Sequence, residues 1–452
     1  MKPGAHVAGT QAFRKRAPRW RTWLRLRVDA HQASSVTLAG AYPFLTGPPC
    51  DVGPYVGTDA LTNEPFCFDP WGLYEAGVLT NPNILLAGVI GQGKSALAKS
   101  LAVRSLAAGR RVYVPGDPKG EWTAVAEAVG GTVVAIGHGL DTRLNPLDLG
   151  AMPADQDHVA WMSQARGRRL RLLAALAETT LNRPLSPGEH GALAAALSAN
   201  GDPRVPTIHN IIQSLGDPDS AETAADSTTV KERIADGRDV AHGLRRMTRG
   251  DLAGIFDGPS TVQLDAGAPM VVLDLSRIGS DDESLALAMT CASSWLESAL
   301  ASGSGGLRWL VYDEAWRLLR SLPLIRRMQA QWKLSRAYGI ANLMIVHRLS
   351  DLDAVGSAGS EARAVAEGLL ADCSTRIVYR QEADQLAGAG IALGLTSIER
   401  ELLPSLPRGT GLWKFSGRSY VVRHRLHSDE LAVFDTDAAM RGPLVGVAGV
   451  RP

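Results

Sequence analysis

Residues 88–95 read Gly-Val-Ile-Gly-Gln-Gly-Lys-Ser and fit the pattern G-x-x-x-x-G-K-[ST] at every fixed position. A short apolar run, 83–89, leads into this loop, and a segment rich in Ala and Leu, 95–109, follows it. The first is typical of a buried strand and the second of a helix that ends at Gly109. In that context the backbone N–H groups of the loop point into a concavity that binds phosphates. The sequence therefore predicts a phosphate-binding loop between a strand and a helix.

Each part of this loop has a predicted task in binding a nucleotide and its magnesium ion. Lys94 places a positive charge against the β- and γ-phosphate oxygens, and the Ser95 hydroxyl is a ligand for Mg²⁺. The positive end of the following helix dipole favours the same phosphates. The nucleotide-binding residues are predicted to be Gly88, Gly91, Gln92, Gly93, Lys94, Ser95 and Ala96.

A second candidate for catalytic chemistry is the apolar run 307–313, which ends in Asp313 and is followed by Glu314. In an open α/β sheet, ligands bind at the carboxyl ends of the strands, and this run delivers both carboxylates there. Asp313 is predicted to hold Mg²⁺, mostly through water. Glu314 is suited to orient and deprotonate an attacking water, so Glu314 and Lys94 are the predicted catalytic residues.

The order of the elements predicts an α/β fold with a mostly parallel sheet, because strands and helices alternate from residue 83 onwards. Residues 153–256 lose the strand pattern and carry apolar residues at helical spacing, which predicts a helical insertion. Strands resume at 268–276, and residues 410–426 predict a hairpin with a Gly-Arg turn. Residues 40–70 are rich in Pro and Gly and predict an irregular segment. The predicted divisions are a basic arm and approach segment (1–60), the first part of the core (61–152), the insertion (153–262), the second part (263–437) and a tail (438–452).

Composition limits the classes of function and location. Lys and Arg number 47 against 46 Asp and Glu, which excludes a protein that is basic all over, as nucleic-acid coat proteins are. Four scattered cysteines predict reduced thiols in the cytoplasm. No apolar run approaches the roughly 18 residues that span a bilayer, so contact with a membrane is expected only at its inner face. Residues 1–30 are basic with interleaved Trp and Leu, which suits an anionic membrane surface, bound phosphates or a solvated arm.

Four further motifs give the chain a family resemblance. They are Gly-Asp-Pro-Lys-Gly-Glu-Trp at 116–122, Asn-Pro-Leu-Asp at 145–148, Phe-Asp-Gly-Pro at 256–259 and Asp-Glu-Ala-Trp at 313–316. Together with the phosphate loop, they resemble the HerA/FtsK superfamily of hexameric motor ATPases. Within it, the chain is most similar to the VirB-class secretion ATPases of conjugative type IV systems. The resemblance covers residues from about 65 to 437.

The resemblance implies a RecA-like P-loop fold, hydrolysis of ATP with Mg²⁺ and assembly as a homo-hexamer. It also implies partners among membrane-embedded secretion or conjugation components, and DNA is a further candidate partner. Ring ATPases of this kind complete each site with an arginine of the neighbouring subunit. Three arginines beside late strands are the candidates for this role, with a surface arginine as the alternative for each: Arg376, Arg380 and Arg408.

The chain departs from the family at two places. A short basic arm stands where the secretion ATPases have a large N-terminal domain that contacts the channel. The strand after the Asp-Glu-Ala-Trp motif ends in His347 and Arg348, where the family has a Gln that senses the γ-phosphate. These two side chains either sense the phosphate or pair with Asp351 or Asp353. For Lys119 and Glu121, coupling to a neighbouring subunit and pairing with each other both remain open.

The sequence thus favours an ATP-driven motor for substrate transfer in conjugation or type IV secretion. One alternative is a DNA translocase or coupling protein of the same superfamily, which would push DNA directly. Another is a nucleotide-binding module that assembles or regulates a membrane complex without hydrolysis, for which the His347-Arg348 replacement is the support.

Overall fold

The computed structural model describes residues 52–434 except for a few short stretches: 151, 153–155, 201–204, 221–222, 224–225, 264, 266, 301–305, 337, 348–359 and 383–392. Most of the predicted basic arm and all of the predicted tail beyond residue 437 lie outside the described residues.

One sheet of eleven strands organises the fold, in the order β2-β1-β11-β10-β9-β3-β8-β7-β4-β6-β5. The strands from β9 to β5 in this order are parallel, and those from β2 to β10 pair antiparallel. The predicted mostly parallel sheet is therefore confirmed. The strands are β1 Tyr55–Asp59, β2 Pro65–Cys67, β3 Ile84–Ala87, β4 Arg111–Asp117, β5 Thr132–Gly137, β6 Met270–Arg277, β7 Arg308–Tyr312, β8 Ile340–Val346, β9 Thr375–Tyr379, β10 Thr410–Phe415 and β11 Arg418–His424.

Helices cover the sheet between these strands. They are α1 Pro70–Glu75, α2 Lys94–Leu106, α3 Thr123–Ala128, α4 His158–Leu181, α5 Pro187–Ala199, α6 Ile208–Gly216, α7 Val230–Leu244, α8 Arg246–Arg249, α9 Asp282–Leu300, α10 Leu322–Ser335, α11 Glu361–Ala371, α12 Ser397–Leu402 and α13 Ser428–Phe434. Two 3₁₀ helices, Ala315–Arg320 and Leu403–Ser405, complete the described elements.

The predicted helical region lies between β5 and β6 and contains α4 to α8 among its described residues. Four of these helices begin where the sequence supplies caps: Asp157 caps α4, and Ser186, Thr207 and Thr229 form capping boxes at α5, α6 and α7. Helix α4 packs against α10 and α9, which ties the helical region to the core.

Alternate residues of the central strand β3 belong to different hydrophobic clusters. Leu85 and Ala87 pack in a cluster that contains residues of α4 to α7, α9 and α10. Ile84 and Leu86 pack in a second cluster with residues of α1, α2 and α3. Because side chains alternate across a strand, β3 is covered on both faces, which is why its sequence is apolar throughout.

The prediction of an irregular segment over 40–70 is wrong at β1 and β2. These two strands extend the sheet beyond the C-terminal hairpin. Aromatic burial explains the difference: Phe66 is fully buried and lies 4.9 Å from Trp413, ring centre to ring centre. The predicted hairpin is confirmed, but its two-residue turn is Ser416-Gly417 rather than Gly-Arg.

Candidate nucleotide-binding site

The phosphate loop leaves β3 at Ala87 and enters α2 at Lys94. Gly91 and Gly93 have φ values of +79° and +102°, a region that non-glycine residues rarely occupy. Gly88 is required for another reason, because a Cβ atom there would lie 2.5 Å from Tyr379 Cβ. The loop is held at both ends by backbone hydrogen bonds: Val89 N donates to Arg380 O at 3.0 Å, and Gly409 N donates to Gln92 O at 2.9 Å.

The Lys94 side chain lies against this loop and is only 5% exposed. Its ammonium group donates hydrogen bonds to Gly88 O and, at 3.0 Å, to Val89 O. A buried ammonium requires such acceptors, and phosphate oxygens are stronger acceptors than carbonyl groups because they are charged. The residues present therefore fit a nucleotide phosphate, which would share or replace these carbonyls as the partner of Lys94.

Strand register brings the two predicted carboxylates to the same edge of the sheet. Tyr312 of β7 pairs with Met344 of β8, and Met344 pairs with Leu85 of β3. Asp313, Glu314 and His347 consequently follow their strands at the level where the phosphate loop follows β3. This agrees with the rule that parallel strands present their ligands at their carboxyl ends.

Asp313 is buried, and each of its carboxylate oxygens accepts one hydrogen bond. Oδ1 accepts from Glu314 N at 3.0 Å, and Oδ2 accepts from the Trp122 indole at 2.9 Å. Burial raises the pKa of this carboxyl group, although the Trp122 hydrogen bond opposes that shift. Within the described ranges no three side chains of His, Cys, Asp or Glu are grouped as a ready-made metal site. Ser95 and Asp313 nonetheless fit Mg²⁺, which usually shares its coordination with phosphate and water.

Three donors surround the Glu314 carboxylate, whose side chain is 4% exposed. The Lys119 ammonium contacts Oε1, the Trp316 indole donates to Oε2 at 2.5 Å, and His347 Nε2 lies 2.9 and 3.0 Å from the two oxygens. Glu314 itself has a φ of +57°, an uncommon left-handed conformation for a residue with a side chain.

These donors decide the charge state of Glu314. Burial raises the pKa of its carboxyl group, but the hydrogen bonds from His347 and Lys119 outweigh burial and hold the pKa far below its ordinary value. Glu314 is consequently ionised at any physiological pH. A carboxylate this weakly basic orients a water molecule more readily than it takes a proton from one, as long as Lys119 and His347 remain in contact with it.

The turn at 117–122 supplies two of the groups that contact the carboxylates. Asp117 Oδ2 accepts a hydrogen bond from Trp122 N at 2.7 Å, which closes the turn. Burial raises the Asp117 pKa to about 6. Lys119 pairs with Glu314, whereas Glu121 lies 3.5 Å from the buried Lys99. The two residues left open by the sequence therefore contact different partners and not each other.

The predicted sensor and arginine positions have mixed outcomes. His347 contacts Glu314, and its Nδ1 atom is buried with no hydrogen-bond partner in the described part of the chain. Arg348, Asp351 and Asp353 lie outside the described residues.

Two of the three arginine candidates, Arg380 and Arg408, are exposed and adjoin the backbone hydrogen bonds that hold the phosphate loop. Arg376 lies near the amino end of β9, on the side of the sheet away from the phosphate loop, and donates a hydrogen bond to Leu393 O at 2.6 Å.

Three side chains at this site were not assigned a site role from the sequence, namely Trp122, Trp316 and Tyr379, and for Lys119 the contact with Glu314 was not predicted. Trp122 and Lys119 belong to the 116–122 motif and Trp316 to the 313–316 motif, so the signal was present as motif membership. Their contacts depend on how separate segments meet, which the motifs do not encode.

The overall fold matches that of VirB4 of Thermoanaerobacter pseudethanolicus with a TM-score of 0.68, at 21% identity over 85% of this chain and 100% of that chain. The bacterial conjugative coupling protein TrwBdeltaN70, in complex with sulphate, matches with a TM-score of 0.52 at 14% identity over 76% of this chain and 86% of that one. The chain shares their fold.

The plasmid coupling protein TrwB in complex with ADP and Mg²⁺ also matches, with a TM-score of 0.51 at 14% identity over 83% of this chain and 90% of that chain. The predicted RecA-like fold is thus confirmed, and so, at the level of the fold, is the resemblance drawn from the motifs. No family model matches the chain, and neither does any curated protein sequence. Among the described residues, no helix has the length and apolar character needed to cross a bilayer.

Proposed function

We propose that this protein is an ATP-hydrolysing motor that drives substrate transfer in a conjugative or type IV secretion system. The observation that carries the proposal is the arrangement of residues at the carboxyl ends of three neighbouring parallel strands. There the phosphate loop with its buried Lys94 follows β3, and Asp313 and Glu314 follow β7, with β8 between them. The shared fold with VirB4 and with TrwB in complex with ADP and Mg²⁺ supports the same assignment.

In this proposal the chain's own residues divide the work of hydrolysis. The loop glycines and Lys94 bind the phosphates, and the N-terminus of α2 adds its favourable dipole. Ser95 and Asp313 would hold Mg²⁺, which neutralises phosphate charge. Glu314 orients the attacking water, and His347 keeps the Glu314 carboxylate in place.

The assembly we propose is a homo-hexamer at the inner, cytoplasmic face of a membrane, with transfer-channel components as partners. Residues 153–262 form its helical subdomain, inserted into a RecA-like core. Arg380 and Arg408 are the better candidates to act on a neighbouring subunit's nucleotide, because both are exposed near the phosphate loop. Arg376 is the weaker candidate, since it lies near the amino end of β9, away from the phosphate loop.

Steady-state ATP hydrolysis by the purified chain tests the proposal, with Lys94→Ala and Glu314→Gln as variants. We expect Mg²⁺-dependent turnover in the wild type and a loss of turnover of at least about a hundredfold in each variant. Each variant lacks a charged side chain that acts on the reacting phosphate or water. ATP binding should weaken in Lys94→Ala and persist in Glu314→Gln. Tight ATP binding without turnover, also in the presence of channel components, would contradict a motor and favour the regulatory module.

The same assay separates the proposed motor from a DNA translocase. Hydrolysis that single- and double-stranded DNA leave unchanged supports a secretion motor, whereas strong stimulation by DNA favours a coupling protein like TrwB. Turnover per chain should rise with protein concentration if a neighbour's arginine completes the site, and Arg380→Ala or Arg408→Ala should remove that rise.

A further inference from the structure

The Trp316 side chain, in the 3₁₀ segment Ala315–Arg320, contacts the proposed catalytic carboxylate and two arginines. Its indole Nε1 donates to Glu314 Oε2 at 2.5 Å. On the ring itself lie two guanidinium groups, with Arg317 Cζ 4.6 Å and Arg320 Cζ 4.7 Å from the ring centre. Both distances are within the range of cation–π attraction.

Both arginines are fixed in turn by one carboxylate. Arg317 Nη1 binds Asp282 Oδ1, and Arg320 Nη1 binds Asp282 Oδ2 at 2.6 Å. Asp282 is the first residue of α9, a long helix that packs against the 3₁₀ segment, β4 and α4. The orientation of the Trp316 ring is therefore supported by Asp282, a charged residue of another element, through the two arginines that lie on the ring.

The three donors on Glu314 differ in how firmly they can hold it. The Lys119 side chain is 48% exposed and contacts Oε1, so water and phosphate compete for it. His347 shares its Nε2 between both oxygens and is 21% exposed. The Trp316 indole carries no charge and can only donate, and it reaches Oε2 alone. An anionic phosphate therefore competes for this uncharged donor less strongly than for the Lys119 ammonium.

The backbone conformation of Glu314 is a second reason for a firm hydrogen bond from Trp316. Glu314 has a left-handed φ of +57°, and such strained positions persist where surrounding contacts determine them. The indole bond, formed two residues further along the same turn, is one of these contacts. It fixes Oε2 and thereby the direction in which Oε1 points.

We propose that Trp316 is a positioning residue for ATP hydrolysis: it holds Oε2 of Glu314 in place while Oε1 orients the attacking water. The Arg317, Arg320 and Asp282 side chains keep the indole in the orientation that makes this bond. The inference rests on the proposed function and adds to it a role for a residue that acts through Glu314.

Trp316→Phe tests the role, because it removes the N–H donor and keeps an aromatic ring for the two arginines. We expect kcat to fall about tenfold or more, since a hydrogen bond to a charged group is lost, while the ATP KM and the equilibrium ATP affinity stay unchanged. Asp282→Asn, which weakens the support of the ring but leaves the indole, should lower kcat by a smaller factor. Trp161→Phe is the matched control, since the buried Trp161 Nε1 has no hydrogen-bond partner in the described part of the chain.

Each outcome decides between the two levels of the proposal. Wild-type kcat in Trp316→Phe overturns the positioning role and leaves the proposed function intact. A parallel loss of kcat, ATP affinity and thermal stability also overturns it, because that pattern marks a structural residue. A wild-type protein without turnover, assayed beside Lys94→Ala, overturns the proposed function and this inference with it.

Discussion

At the scale of single residues, the candidate site is built by contacts between segments that lie far apart in the chain. The phosphate loop is a local pattern, so Lys94 and Ser95 are candidates that need no knowledge of the fold. Glu314 is a sequence-based candidate as well, but its three donors come from the turn after β4, the end of β8 and its own turn. Contacts between such distant segments depend on strand register, which no local pattern contains.

Gly88 offers a test of how tightly the loop is packed. A Cβ atom there would lie 2.5 Å from Tyr379 Cβ, and neither atom is the end of a flexible side chain. We therefore expect Gly88→Ala to lower the free energy of unfolding by about 2 kcal/mol, since overpacking forces the backbone to shift. Nucleotide affinity should fall as well, because the displaced backbone is part of the phosphate loop.

Urea unfolding of the purified variants checks this expectation. Gly216→Ala is the matched control, because a Cβ atom at Gly216 would meet nothing within 4 Å and the residue ends helix α6. A stability of Gly88→Ala equal to that of Gly216→Ala would show that the contact with Tyr379 does not constrain the loop.

At the scale of elements, the strands buried on both faces and the C-terminal hairpin were predictable, whereas β1 and β2 at the antiparallel end of the sheet were not. The runs of β3, β6, β7 and β8 are apolar because both of their faces are covered. Strand β1 is short and lies among Pro and Gly residues, and it pairs with β11, more than 350 positions away. Only the tertiary pairing makes it a strand, so composition alone predicted an irregular segment.

The C-terminal hairpin carries a prediction about its turn. Ser416 and Gly417 have φ values of +51° and +72°, which together define the type I′ geometry of a two-residue turn. Asn tolerates this conformation better than Ser, so Ser416→Asn should raise the free energy of unfolding by about 0.5 kcal/mol. Gly417→Ala should lower it by about 1 kcal/mol, since alanine is strained at positive φ.

Chemical denaturation of both turn variants provides the measurement. Because a Cβ atom at Gly417 would meet nothing within 4 Å, any loss reports backbone strain alone. A stabilising Gly417→Ala or a strongly destabilising Ser416→Asn would mean that the turn is not type I′.

At the scale of the whole molecule, the alternation of strands and helices predicted a parallel sheet, whereas the strand order had to come from the structure. The parallel strands run β9-β3-β8-β7-β4-β6-β5, so segments far apart in the chain become neighbours. This order sets the phosphate loop beside β8 and one strand away from Asp313. It also leaves the helical region on the face of β3 that carries Leu85 and Ala87. The fold thereby gathers the residues of the proposed nucleotide site at the carboxyl ends of the parallel strands.

Equilibrium binding of nucleotides, measured by titration calorimetry with Mg²⁺, tests the central claim that the carboxyl ends of these strands form an ATP site. We expect one ATP per chain, much weaker binding of AMP, and at least about a tenfold loss of ATP affinity in Lys94→Ala, because the ammonium binds the outer phosphates. Binding of AMP as tight as that of ATP, or an ATP affinity that Lys94→Ala leaves unchanged, would contradict the account.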